Sequence, residues 1–349
     1  MRRGPTNSLA DVEGLRVGHA QRVGDGYRTG VSVVLAPQGG AVAGVDVRGA
    51  APGTRETELL DPRNLVERVH AIVLTGGSAY GLSAACGVME RLADAGTGFP
   101  VEGGVVPIVP GAVIYDLGRG GSFRATPDAA MGAAAYDAAL SSPGALSAGL
   151  PSDGAASPPW VNGSVGAGTG AVAGGLAGGV GTASAVLPSG VTVAALAVVN
   201  AAGSVLDPRS GLLSGVRYGL PGEFDHVGEP DTGEYERWSP QKAPSFNTTI
   251  GVVATDLTLS KAQCGKLAGV AHDGLARAIR PAHTMVDGDT IFAMSTCGLP
   301  GPDDTGLHDV LAAAADVFSR AVAHAVLHAT GREGAPAYLD VFPSARSGR

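Results

Sequence analysis

The run Val191-Thr192-Val193-Ala194-Ala195-Leu196-Ala197-Val198-Val199 holds nine residues with no charge, glycine or proline. An unbroken apolar run of strand length, set between Gly190 and Asn200, reads as a buried β-strand. Residues 31–35, 71–74, 249–255 and 290–294 are shorter runs of the same kind. Between them lie Ala- and Leu-rich stretches that predict helices over about 81–94, 127–140, 260–279 and 307–330, the third announced by an N-cap-like Ser260. Strands and helices alternate without a simple repeat, so the fold class is α/β.

Length and composition bound this reading. A chain of 349 residues holds two average domains or one large layered one, and it can bury a sizeable core. With 55 glycines it is Gly-rich, yet 44% of residues are apolar, which argues for a globular protein over a disordered one. The segment from 141 to 181 is dominated by Gly, Ala, Ser and Pro, and is either loop or backbone packed too tightly for side chains. The net charge of -8, without a Lys/Arg cluster, leaves no electrostatic footprint for nucleic acid or an anionic membrane. Cys86, Cys264 and Cys297 are odd in number and widely spaced, which fits neither a disulfide framework nor a zinc knuckle and points to a reducing cytoplasm. The start of the chain shows no apolar signal region, and no uninterrupted apolar span of membrane length is expected after it.

Residues 207–246 turn polar and irregular and form the best candidate linker or loop. They end at Asn247-Thr248-Thr249-Ile250, where a strand begins abruptly. Taken alone, Asn-Thr-Thr is the start of a strand; it is also an N-x-Thr glycosylation sequon, for which no secretion signal speaks. A third meaning is a self-cleavage site. Breaking the Asn247-Thr248 bond would make Thr248 a chain terminus with a hydroxyl nucleophile beside a free α-amine, so that one residue supplies nucleophile and base for amide hydrolysis.

Other patterns have plainer readings. Asp287 and Asp289 with His283 upstream could hold a metal, but the spacing matches no calcium loop and a polar turn is preferred. The same carboxylates could orient a new α-ammonium or a threonine hydroxyl without any metal. Gly166-Ala167-Gly168-Thr169-Gly170-Ala171 lacks the spacing of a dinucleotide loop and the lysine of a phosphate loop, so close backbone packing is the better reading. Ser78 lies between a strand and a helix, as in a nucleophile elbow, but Tyr80 stands where the final glycine is required, which leaves it a weak rival nucleophile. The eight histidines are scattered, and His324 and His328 have no glutamate beside them to complete a zinc motif.

Several segments in a fixed order carry a family resemblance. Leu9-Ala10-Asp11-Val12-Glu13-Gly14-Leu15-Arg16-Val17-Gly18-His19, Arg48-Gly49-Ala50-Ala51-Pro52-Gly53-Thr54-Arg55-Glu56-Thr57 and Leu74-Thr75-Gly76-Gly77-Ser78-Ala79-Tyr80-Gly81-Leu82 resemble the opening motifs of the DmpA-type aminopeptidases. Ala112-Val113-Ile114-Tyr115-Asp116, Asn200, Asn247-Thr248-Thr249-Ile250 and the segment 280–292 are similar to the nylon-oligomer hydrolase branch, whose enzymes cut 6-aminohexanoate oligomers. The resemblance covers most of the chain. It implies an N-terminal-nucleophile hydrolase with an αββα layered sandwich of the DmpA and ornithine acetyltransferase type, residues 1–349 forming one layered domain. It further implies self-cleavage into an α subunit, 1–247, and a β subunit, 248–349, that stay together.

By the same resemblance Thr248 is the nucleophile and Asn247-Thr248 the scissile bond. Tyr115 and Asn200 fall near the reacting carbonyl, where a phenol or a carboxamide can donate to a developing oxyanion. Asp287 and Asp289 match an acidic pair that assists cleavage and orients the nucleophile. No cofactor or metal is implied, the substrate is a short peptide, a β-peptide, an amino-acid amide or a nylon oligomer, and the assembly is a homo-oligomer with a tetramer favoured. One departure stands out: the nylon-oligomer hydrolases carry a lysine after the Gly-Ala-Gly segment, where Gly174-Gly175-Leu176-Ala177-Gly178-Gly179 has none. That removes an ammonium able to tune the Thr248 proton. Acyl transfer to an amine, as in ornithine acetyltransferase, and a fold retained without catalysis are the rival readings.

Overall fold

Two β-sheets stacked face to face form the centre of the molecule, and helices cover both outer faces. The computed structural model describes residues 1–141, 161–239 and 246–346. In chain order the first strands are β1 (Arg16–Gly24), β2 (Tyr27–Leu35), β3 (Ala41–Val47), β4 (Thr54–Arg55), β5 (Arg68–Val69), β6 (Ala71–Thr75), β7 (Phe99–Val101), β8 (Gly104–Val106) and β9 (Gly111–Val113). The later strands are β10 (Val172–Ala173), β11 (Leu176–Ala177), β12 (Gly179–Val186), β13 (Thr192–Val199), β14 (Ile250–Leu257) and β15 (Thr290–Leu299). The helices are α1 (Ala84–Asp94), α2 (Ala129–Ser141), α3 (Thr232–Arg237), α4 (Lys261–Ala278), α5 (Asp304–Leu327) and α6 (Tyr338–Val341).

One sheet runs β1-β2-β6-β9-β4 and the other β12-β13-β14-β15-β3-β5. Neighbours are antiparallel except β6 with β9 and β14 with β15, which are parallel. Side chains alternate across each strand. On β13, Ala194, Leu196 and Val198 join Ile72, Leu74, Ile250, Val252, Phe292 and Met294 between the sheets. Val193, Ala195, Ala197 and Val199 instead join Leu267 and Leu275 of α4 and Phe318 and Val322 of α5. On the other sheet Val31, Val33 and Val73 pack with Val88 of α1 and Ala135 of α2. Both faces of these strands are covered, which is why they read as unbroken apolar runs. The result is the αββα layered sandwich that the resemblance implies.

The expected long elements are present with shifted ends. Ser260 caps α4: its side chain accepts from the Gln263 amide while the Gln263 side chain accepts from the Ser260 amide at 2.9 Å, a reciprocal capping box. The helix expected from 81 starts at Ala84, because residues 78–83 form a 3-10 turn. The sequence pattern missed β12, where two glycines, two alanines and a serine, poor strand formers, dilute Val180, Thr182 and Val186. Its glycines serve packing instead: a Cβ on Gly181 would lie 1.9 Å from the Ala321 carbonyl oxygen of α5. Helix α5 has the length and apolarity of a membrane span, but 83% of that span is buried in the core.

Residues 142–160 of the Gly/Ala-rich stretch lie outside the described residues, as do 240–245 of the stretch read as a linker. Elsewhere both are packed. Gly178, ahead of β12, has no room for a Cβ, which would stand 2.1 Å from the Val199 carbonyl oxygen. The described part of the linker contains α3 and buries Leu213, Phe224 and Val227 in the core beneath α5.

Candidate active site

The sheet topology brings distant segments together at one end of the sandwich. Because β14 and β15 are parallel, the residues that enter them lie side by side, and Asn247 bridges to Asp287. Because β13 is antiparallel to β14, the residue leaving β13, Asn200, meets the same place. Tyr115 arrives from the end of β9 in the other sheet. All six residues singled out by the sequence, Tyr115, Asn200, Asn247, Thr248, Asp287 and Asp289, thus meet at this end of the fold.

Thr248 is buried at 5% exposure. Its hydroxyl donates to the carbonyl oxygen of Asn247 at 2.5 Å, and its amide donates to the carbonyl oxygen of Asn200 at 2.7 Å. The Asn247 oxygen accepts a second hydrogen bond, from the Gly288 amide at 3.2 Å. Gly288 has to be glycine, since a Cβ there would lie 2.5 Å from the Ala51 carbonyl oxygen and 2.9 Å from the Thr248 Oγ1. The donor is a backbone group and left no trace in the residue pattern.

The two aspartates are buried and accept hydrogen bonds through their side chains. Asp289 accepts from the Thr249 amide at 2.8 Å through Oδ1, while its Oδ2 accepts from the His283 amide at 3.0 Å and lies 2.8 Å from the His283 Nδ1. Asp287 Oδ2 accepts from the Thr284 hydroxyl at 2.5 Å and the Thr284 amide at 3.1 Å. The loop 48–51 clasps this turn from outside: the amides of Arg48 and Gly49 donate to the Asp289 carbonyl, and that of Ala51 to the Asp287 carbonyl. Asp289 thus holds the backbone amide next to Thr248, and Asp287 that of Thr284. Among the described residues no group of three or more His, Cys, Asp or Glu side chains is placed to hold a metal ion.

Asn200 is wholly buried and uses both ends of its carboxamide. Nδ2 donates to the Tyr115 carbonyl at 3.2 Å, and Oδ1 accepts from the Val172 amide at 3.1 Å and from Arg119 Nη1 at 2.5 Å. Arg119 also donates to the Gly170 carbonyl at 2.7 Å, and its Nη2 lies 3.5 Å from Asn247 Oδ1. Burial lowers the Arg119 guanidinium to about 10, partly offset by the Asp116 charge, so it stays a cation at neutral pH. Burial also raises the Asp116 carboxyl, against the hydrogen bond from Gly77 and the Arg119 charge. Sequence reasoning passed over Arg119; one arginine between Gly118 and Gly120 carries no spacing signal.

A cavity of about 250 Å³ opens onto the junction, lined by Pro52, Val113, Tyr115, Phe246, Thr248 and Val286 among others. Tyr115 packs against Phe246, their ring centroids 5.8 Å apart. Ser78 lines the same cavity in a left-handed conformation, φ 51, and among the described residues its hydroxyl has no hydrogen-bonded base. The lysine-free segment forms the β10-β11 hairpin, in which Gly175 takes φ 88 and Ala177 is buried. It adjoins the site through the Gly174 amide, which donates to the Ala201 carbonyl at 3.1 Å.

The chain is similar to known proteins in sequence and in fold. The chain is 47% identical over 371 residues to an uncharacterized aminopeptidase of Mycobacterium tuberculosis, covering 97% of this chain and 99% of the relative. It is 31% identical over 304 residues to the 6-aminohexanoate-oligomer endohydrolase of Kocuria sp., covering 85% of this chain and 77% of that one. In structure it superposes on the L-aminopeptidase D-Ala-esterase/amidase of Ochrobactrum anthropi, a variant of the Ntn hydrolase fold, with a TM-score of 0.71 at 22% identity over 99% of this chain and 96% of that one. A Burkholderia sp. beta-aminopeptidase gives 0.70 at 22% identity over 100% and 96%. The pattern of Peptidase family S58 matches residues 7–337, and the chain belongs to that family.

Proposed function

We propose that this protein is a self-processing amide hydrolase in which Thr248 is first the agent of its own release and then the catalytic nucleophile. The observation that carries this reading is the Thr248 hydroxyl held 2.5 Å from the oxygen of the bond it would break, with the Gly288 amide on the same oxygen. In the first stage Oγ1 attacks the Asn247 carbonyl carbon, and negative charge gathers on the oxygen that faces the Gly288 N–H, a donor already in place. The C–N bond breaks, the nitrogen takes up the proton that the hydroxyl gave up, and the acyl group rests on Oγ1 as an ester. Water hydrolyses the ester, giving Asn247 a carboxylate and Thr248 a free hydroxyl and α-amine.

In the second stage the neutral α-amine takes the hydroxyl proton as Oγ1 attacks a substrate amide. The leaving amine takes a proton, an acyl-enzyme forms, and water resolves it. Short peptides, amino-acid amides and 6-aminohexanoate oligomers are the proposed substrates, by analogy with the names of the relatives. The small, largely apolar cavity suits a compact acyl group. Denaturing electrophoresis and mass spectrometry test the reading: two fragments beginning at Met1 and Thr248 are expected, with Thr248→Ala remaining one chain. Robust amide hydrolysis by that uncleaved variant would overturn it. Assays on an L-aminoacyl amide panel and a 6-aminohexanoate oligomer then separate the substrate classes.

A further inference from the structure

We propose that Arg119 is a positioning residue for this chemistry, fixing the Asn200 carboxamide and the Asn247 side chain on either side of the junction. The proposal rests on the Thr248 reading above. An arginine only donates, so the oxygen 2.5 Å from Arg119 Nη1 is the amide's acceptor end, a choice reinforced by the Val172 amide at 3.1 Å on the same atom. Turning the carboxamide over would set an NH2 group against two donors in a wholly buried place. Nδ2 is thereby committed to the side of Tyr115, which lines the cavity. The same Asn200 accepts the Thr248 amide on its backbone oxygen, so its placement bears on the future α-amine as well.

The guanidinium is itself anchored. It shares the Gly170 carbonyl with Arg332, whose Nη2 donates there at 2.9 Å, and the Arg119 amide donates to the Asp116 carbonyl at 3.2 Å. Two guanidinium groups on one carbonyl repel, an arrangement poorly suited to serving stability alone. Arg119 crosses from the β9 end of one sheet to the β13 and β14 ends of the other, and so places a cation at a junction whose adjoining hairpin carries no lysine.

The chain is its own substrate, which gives a test that needs no identified ligand. The wild-type chain, Thr248→Ala, Arg119→Lys, Arg119→Met, Asn200→Ala and the Arg119→Met/Asn200→Ala pair would be followed by timed mass spectrometry and thermal melting. Arg119→Met should fold and melt near wild type yet cleave on the order of 10²-fold more slowly, the scale of a misplaced reacting group. Arg119→Lys should recover a clear part of that rate, and the double variant should be no slower than Asn200→Ala alone. Wild-type speed in Arg119→Met, or equal losses in the Lys and Met variants, would overturn the proposal while the wild type still cleaves. A wild type that stays whole would instead remove the Thr248 reading on which it rests.

Discussion

The amide nitrogen of Thr248 lies 2.7 Å from the carbonyl oxygen of Asn200, its hydrogen directed at a buried acceptor at the end of β13. On the proposed cleavage at the Asn247-Thr248 bond that nitrogen would become an α-amine within reach of the same acceptor. One N–H would stay on Asn200, and the amine would remain beside its own hydroxyl. Only the neutral amine is a base, and its ordinary pKa is about 7.7–8.0. The kcat/KM of the matured protein should therefore rise with pH through that range and level off above it, falling at pH 6 to roughly a hundredth of the plateau. A pH–rate profile checks this, and a flat profile from pH 6 to 9 would take the amine out of the role.

Gly288 tests the first stage separately. Its amide donates to the Asn247 oxygen, and a Cβ would meet Ala51 and the Thr248 hydroxyl at 2.5 and 2.9 Å. Gly288→Ala has to move the turn or the hydroxyl, and either shift spoils the donor. Removing one such donor costs on the order of 10²–10³-fold. Conversion of the single chain into two fragments should slow by about that factor, read by timed mass spectrometry. Conversion at the wild-type rate would show that Gly288 is not a donor to the developing oxyanion.

How far this site was legible in the sequence follows from what a residue pattern can carry. The strand starting at Ile250 and the capped helix at Ser260 follow from local rules, and the order of the family segments pointed to Tyr115, Asn200, Asp287 and Asp289. The meeting of these residues depends on β14 and β15 being parallel and β13 antiparallel, a non-local fact that no local period encodes. The Gly288 donor belongs to the backbone, and Arg119 acts through a side chain spanning two sheets, so neither had a local signature. In this structure the aspartate side chains hold the amides of Thr249 and Thr284.

Asp289 and Asp287 should accordingly differ on neutralisation. Asp289 receives donors on both oxygens, from Thr249 on one and His283 on the other. Asp289→Asn turns an NH2 group toward one of them, leaving buried donors opposed at a cost of about 1–3 kcal/mol. The amide and the hydroxyl of Thr284 both fall on Asp287 Oδ2, which an asparagine oxygen can replace. Asp287→Asn should thus lose less stability while still losing the charge. Denaturant unfolding of both variants in a Thr248→Ala background, where cleavage does not intervene, measures the difference. Equal losses would contradict this division.

Far from the junction, Arg320 and Glu223 form a buried pair that ties the chain's ends to the sandwich. Arg320 Nε and Nη2 grip both oxygens of Glu223 at 2.7 and 2.9 Å, Nη2 also donates to Asn7, and Nη1 donates to the Ser184 carbonyl of β12. Arg320→Met strands the Glu223 carboxylate, and breaking such a pair costs about 3–5 kcal/mol at pH 7. Burial alone would raise the Glu223 carboxyl, but hydrogen bonds from His324 and Arg320 and the Arg320 charge prevail and hold it at about 2. A carboxyl lowered on folding contributes stability above its unfolded value of 4.5, and that contribution is lost as pH falls toward 2. The variant lacks the arginine share of it, so the gap between variant and wild type should narrow from pH 7 to pH 3. His272, which burial pushes below its ordinary 6.5, destabilises both proteins as pH drops and cancels in the difference. Urea unfolding at the two pH values measures the gap, and a gap that stays constant would assign the loss to packing around Arg320 instead of its charge.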